Sequence, residues 1–503
     1  MRVVATLVLL VAGLLVAPVP AEAGPTDGPT SPTPPALSRL HVTTGKAAAI
    51  RNADGARVLL NGVNVMGLGE YYQPNPDFES NVPIGSDDFE QIAALGFNSV
   101  RLVVSWSRLE PTRGAYDTAY VDEIRAAVAG AAAQGLYTVI DMHQDAWGIA
   151  VNTPDGVDCP EGSSPANGWD GAPAWATITD GATTCRRPGM ERELAPAVQQ
   201  AWKNFYANTQ GIQTELVKVW GRLAGDFADE TAVAGYDLLN EPGFGPADSL
   251  GKFYDRTITA IRKAETRAGG FHHIAFYEPS VTWSAFGSGG TPPPDFTADK
   301  QVAFAPHVYA ETFGSISIAD GFAAAAKAAK AQGVPLWIGE WGYFSADPAD
   351  DADRMDRFGA AEDDHGYGGA WWSWKQACGN PHVIGAPGGQ PGPISQSLVR
   401  YLCPDETAVA PDPAYTGVLS RPLPRAVPGT TTRLDSDGRT GTLVLVGQRE
   451  KLAKRCSLRV FVPGVWAEQT VRSTGIHRIH TRVDHGNVVL RGCVERKFSL
   501  RIG

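Results

Sequence analysis

Eight short apolar runs set the strongest limit on what this chain can fold into: "VLLNGVNVMG", "NSVRLVVSW", "YTVIDMHQD", "AGYDLLNEP", "HIAFYEP", "VAFAPHVY", "PLWIGEWG" and "GGAWWSWK". They are spread over residues 58–375 and alternate with helical patterns such as "YVDEIRAAVAGAAAQG" and "IADGFAAAAKAAKAQG". Strands that alternate with helices pair in parallel, each crossing over through its helix. Eight such units close most naturally into a (β/α)8 barrel. A doubly wound open sheet is the rival, but no glycine-rich phosphate fingerprint follows the first strand.

Several runs end on polar residues where burial penalises them. Strand two carries Arg101; strand three ends in His143, Gln144 and Asp145; strand four ends in Asn240 and Glu241. Strand six gives His307 and Tyr309, strand seven Glu340, and strand eight Trp372 and Trp374. In barrels of this type the strand C-termini meet substrate. One strand-end carboxylate is ordinarily a solvated or salt-bridged residue. Two at equivalent ends, Glu241 and Glu340, form the pair that glycoside hydrolysis requires. Arg101 and Tyr309 are placed to hold Glu340 ionised. Asn240 is expected to contact a sugar 2-hydroxyl, and Trp374 to wall the sugar face. Glu278 of "FYEPS" is another strand-end carboxylate, kept as a candidate substrate contact with a structural role favoured.

The remaining chain frames this region. "MRVVATLVLLVAGLLVAPVPAEAG" has the pattern of a secretory signal peptide, residues 1–23, followed by a proline-rich leader over 24–40. The catalytic barrel is expected over 41–411 and a small all-β sandwich over 412–503. An unperiodic stretch, 146–190, interrupts the repeat after strand three and is expected to cover the barrel mouth. Six cysteines in an exported chain favour disulfides. Proximity pairs Cys159–Cys185, Cys378–Cys403 and Cys456–Cys493, one of 15 connectivities. No CxxC or HExxH spacing suggests zinc, and neither a metal nor a cofactor is expected. The net charge of −11 argues against nucleic acid. It is uneven: residues 412–503 hold 16 Lys+Arg against 7 Asp+Glu. That basic tail admits peripheral contact with anionic membranes. A secreted monomer is the expectation.

The strand-two Arg, the strand-three His, "NEP", "HVY", "GEWG" and the last-strand Trp together resemble glycoside hydrolase family 5, retaining β-glycosidases on (β/α)8 barrels. "DMHQD" and the connector "RPLPRAVPG" resemble its endoglycoceramidase branch, which cuts glycosphingolipids between glycan and ceramide. The resemblance implies Glu241 as acid/base and Glu340 as nucleophile. It also implies His143, Asp145, Asn240 and Tyr309 as pocket residues around the cleaved sugar. Relatives acting on steryl glucosides share the two-domain form, and a cellulase-like β-glucan substrate is a further alternative. Two other classes are weighed. A glycan- or lipid-binding protein on a degenerate barrel is disfavoured by the intact carboxylate pair. A serine esterase would need a G-x-S-x-G elbow, which is absent.

Overall fold

Strand two, Ser99–Ser105, and strand three, Tyr137–His143, are buried at every residue. Apolar runs covered on both faces are what a parallel sheet wrapped by helices produces. The computed structural model describes residues 36–154, 156–165, 167–187, 192–313, 316–345, 347–384, 388–393 and 397–503. The expected signal peptide, and all but the last residues of the leader, lie outside them.

Six further strands complete the parallel sheet: Gly62–Val65, Val233–Asp237, Ile274–Tyr277, Val302–Phe304, Ile338–Trp341 and Gly369–Trp371. In spatial order they run six, five, four, three, two, one, eight, seven. A parallel bridge between Phe304 and Leu336 joins strands six and seven. There the Phe304 N–H donates to the Pro335 carbonyl at 2.9 Å, and the Trp337 N–H to the Phe304 carbonyl at 3.0 Å. The ring is closed, and the expected barrel is present.

Some helices begin and end where the chain supplies caps. Asp117 accepts from the N–H groups of Ala119 and Tyr120 to start Thr118–Ala133, and Ser317 starts Ile318–Gln332 in the same way. The latter stops at Gly333, whose φ of 67° a side chain would disfavour.

The C-terminal strands Leu423–Val427, Gly429–Asp437, Thr442–Arg449, Leu458–Val462, Val471–Asp484 and Asn487–Ile502 are antiparallel. Their core includes Leu434, Leu443, Leu445, Leu458, Phe498 and Leu500. The same sheet takes in His41–Thr43, Ala49–Arg51 and Arg57–Val58, with Val58 opposite Ala426. The two ends of the described chain therefore share one sheet. Arg421, at the head of "RPLPRAVPG", is buried against Glu362 at 3.1 Å and Asp363 at 2.7 Å on a barrel helix. All three cysteine pairs form as proximity suggested. Among the described residues no helix is long and apolar enough to cross a membrane.

Candidate active site

Arg101 is fully buried near the strand C-termini, and a guanidinium there requires partners. It has them on every side. Its Nε donates to Asp237 at 2.9 Å, and its Nη1 to Glu340 at 2.6 Å and Asn64 at 3.1 Å. Its Nη2 donates to Asn240 and Glu278 at 2.9 Å and faces Asp141 at 2.9 Å. Burial would lower its pKa, but the charges of Asp141, Asp237, Glu340 and Glu278 hold it well above the ordinary value. Arg101 ties strands one, two, three, four, five and seven to one another.

His307 stands between the two strand-end carboxylates. Its Nδ1 lies 2.9 Å from Glu241 and 3.3 Å from Glu340, and its Nε2 lies 3.1 Å from Glu278. Burial opposes a charge on the ring, yet Glu278 and Glu340 push its pKa well up. One oxygen from each glutamate and one His307 nitrogen all fall within 4.8 Å of one another. A cation could use those three groups only by displacing the donors that already occupy them. Glu340 accepts from the Tyr309 hydroxyl at 2.8 Å besides Arg101. Burial pushes the Glu340 carboxyl up, against the positive charges of His307 and Arg101.

Glu241 follows strand four with φ at 36°, a strained value for a side-chain-bearing residue and one that recurs at functional sites. Its N–H donates to Glu278 at 2.8 Å, so Glu278 holds this turn as well as Arg101 and His307. The Glu241 carboxylate accepts from Ser284 and His307. Burial would raise its pKa; the bond and charge of His307, with the Ser284 hydroxyl, hold it below the usual range.

His143 is set by Asp141 at 2.7 Å on Nδ1 and Asp145 at 3.4 Å on Nε2. Burial disfavours its charge, but those carboxylates raise its pKa well up. Asp145 is bound at 2.7 Å by Arg192, just past the insert, and Arg192 lies over the ring of Trp169 within it at 3.4 Å. Burial is again outweighed, here by Arg192 and His143, and the Asp145 carboxyl is lowered. Asn240 accepts from Arg101 and donates to the Gln144 carbonyl at 2.9 Å, leaving one amide hydrogen uncommitted among the described residues.

Arg101, His143, Asp145, Asn240, Glu241, His307, Tyr309 and Glu340 converge as the sequence suggested. Trp374 does not. It is wholly buried in the main core and donates to Asp88 at 2.9 Å, so it cannot wall a sugar. Strand eight ends at Trp371, and the two-residue alternation stops with it. Trp372 is the indole at the site. It stacks on His143 at 5.4 Å and packs with Met66, Tyr71 and Tyr309. Asn64, Asp141, Asp237 and Ser284 also contribute without having been singled out. Asp141 was legible, two residues before His143 on the same face of strand three. Ser284 sits in the short helix Thr282–Phe286, which carries no motif.

The model of Cellulase (glycosyl hydrolase family 5) matches residues 51–378. A solved endogalactoceramidase is 43% identical, with a TM-score of 0.84, covering 93% of this chain and 100% of its own. Endo-glycoceramidase II from Rhodococcus sp., solved as a lactosyl-enzyme intermediate, is 26% identical with a TM-score of 0.69, covering 90% of this chain and 99% of that one. Endoglycoceramidase I of Rhodococcus hoagii (strain 103S) is 31% identical over 283 residues, 53% of each chain. The chain spans about half the length of the curated endoglycoceramidases it matches. By the family match and the order of its strand-end residues, this chain belongs to glycosyl hydrolase family 5.

Proposed function

We propose that this protein is a secreted retaining β-glycosidase that cuts glycosphingolipids between glycan and ceramide, with Glu340 as nucleophile and Glu241 as acid/base. The carrying observation is the carboxylate pair, with oxygens within 4.8 Å of each other. Retaining enzymes hold their carboxyl groups about 5–5.5 Å apart, whereas inverting ones leave about 6.5–9.5 Å for a water. A relative captured as a lactosyl-enzyme intermediate supports the same double displacement.

In the first half, a Glu340 oxygen bonds to the anomeric carbon as the bond to the ceramide oxygen breaks. That oxygen takes the proton of Glu241. In the second, water adds at the anomeric carbon, gives a proton to Glu241 and frees Glu340. A Glu241 held low by His307 suits the second half, where it acts as base. For the first half it must carry a proton. A bound glycolipid covering its remaining 17% exposure raises its pKa in that direction. Arg101 and Tyr309 keep two donors on Glu340 while it attacks.

Export is part of the reading, supported by three disulfides. The 43% identity to an endogalactoceramidase favours galactose rather than glucose next to ceramide. The deciding experiment offers fluorescent galactose-linked and glucose-linked glycosphingolipids beside a soluble cello-oligosaccharide. Intact glycan and free ceramide are the expected products, with the galactose-linked lipid cut faster. Preference for the cello-oligosaccharide would overturn the lipid reading.

A further inference from the structure

Away from the barrel mouth, the C-terminal sheet places four arginines together with almost nothing to neutralise them. Arg459 and Arg491 are directly opposite on the strands Leu458–Val462 and Asn487–Ile502. His480 stands opposite Arg491 on the next strand, Val471–Asp484. Two residues along, and hence on the same face, Phe461 pairs with Val489 and Val489 with Arg482. Arg425 joins from the irregular step between Pro424 and Ala426, its guanidinium over the Phe461 ring at 4.6 Å.

Like charges directly opposite in a sheet repel. Here the opposing charge is one carboxylate, Asp484, with both oxygens engaged by Arg482 at 3.0 Å and His485 at 3.2 Å. Among the described residues Arg425, Arg459 and Arg491 make no ion pair, and the Nε atoms of Arg425, Arg482 and Arg491 are buried without a hydrogen-bond partner. The four side chains are neither fully exposed nor fully buried. Burial and the charge of Arg459 push Arg425 down to about 10; burial, Arg459 and Arg482 lower Arg491.

We infer that Arg425, Arg459, Arg482 and Arg491 form a binding site for a tetrahedral oxyanion, phosphate or sulfate. A guanidinium offers a planar fork of donors to such oxygens, and several converging forks recognise them by geometry as well as charge. The site lies at the far end of the barrel from Glu241 and Glu340. Arg425 reaches the Gly96 carbonyl at 3.4 Å and His485 reaches Gln134 at 2.7 Å, and both partners precede the starts of strands two and three. The anion can come from a soluble phosphate or sulfate, or from a phospholipid headgroup.

The test is melting of the full chain in sodium phosphate, sodium sulfate or sodium chloride at equal ionic strength. Phosphate and sulfate should raise the Tm saturably and chloride should not; equal curves in all three overturn the site. In R459Q/R491Q the half-saturating phosphate concentration should rise at least tenfold, while R496Q, at an exposed basic position, should behave as wild type. An unchanged phosphate response in R459Q/R491Q overturns the assignment. Without oxyanion, R459Q/R491Q should melt no lower than wild type, because repulsion is removed; a clear drop would mark a structural cluster and overturn it too. Should that variant not fold, the comparison of phosphate with chloride on wild type decides. Sedimentation with phosphatidylglycerol vesicles separates the sources. Binding that inorganic phosphate competes away assigns a headgroup, and phosphate-induced stabilisation without vesicle binding assigns a soluble anion.

Discussion

Glu241 and Glu340 share one histidine, yet their losses should differ in kind. With Glu340 as the proposed nucleophile, Glu340→Ala leaves nothing to attack, so even an activated aryl glycoside should be hydrolysed at background rate. Glu241→Ala should slow glycolipid hydrolysis by about 10²–10⁴, the usual worth of positioned acid catalysis. It should still release an activated aryl group in a rapid first turnover, because that leaving group needs no proton. Pre-steady-state bursts on both variants check this, and a burst from Glu340→Ala would reverse the two roles. Most of the residues around this pair were legible because each ends an apolar run. Trp372 was not distinguished from Trp374, because alternation along a strand says nothing once the strand has stopped at Trp371.

Among the elements, the insert after strand three is held by Asp170. Its two carboxyl oxygens accept from the Ser105 hydroxyl at 2.6 and 2.8 Å, and burial pushes its pKa from 3.8 up to about 7. A carboxyl raised on folding binds its proton more tightly in the folded state. Its contribution is therefore complete below the unfolded value of 3.8 and falls as pH rises towards 7. Asp170→Asn should flatten the fall in stability over that window, by at most about 4 kcal/mol, as read by urea melts at several pH values. An identical pH slope in the variant would remove Asp170 from the account. The Cys159–Cys185 bridge closes the same insert. Mild reduction should speed amide exchange over residues 150–187 before the barrel strands respond, and simultaneous exchange would contradict that order. The insert announced itself by lacking periodicity, but Asp170 inside it carried no signal. Its partner Ser105 is distant in sequence.

At the scale of the whole molecule, Arg421 joins the barrel helix Pro348–His365 to the C-terminal sheet. Removing one member of a buried ion pair strands the other charges. Arg421→Ala should thus cost about 3–5 kcal/mol and lower the midpoint of one shared urea transition. Two separated transitions would show that the barrel and sheet unfold independently. A buttressing sheet also predicts that neutralising its exposed basic residues leaves hydrolysis equal on vesicles and micelles. A vesicle-specific, salt-sensitive loss would instead make it a membrane anchor. The barrel was readable because its eight strands are local apolar runs. The pairing of His41–Val58 with the far end of the chain was not, since partners so distant leave no mark on either sequence. That pairing limits how such a protein can be rearranged. Val58 waits for Ala426 through the synthesis of every barrel strand. A gene fragment encoding the barrel alone would carry an unpaired strand edge with it. A portion transplanted as a cassette must reach from Leu37, which packs with Leu40 into the core next to the Ser38 carbonyl that accepts from Tyr137, through Ile502.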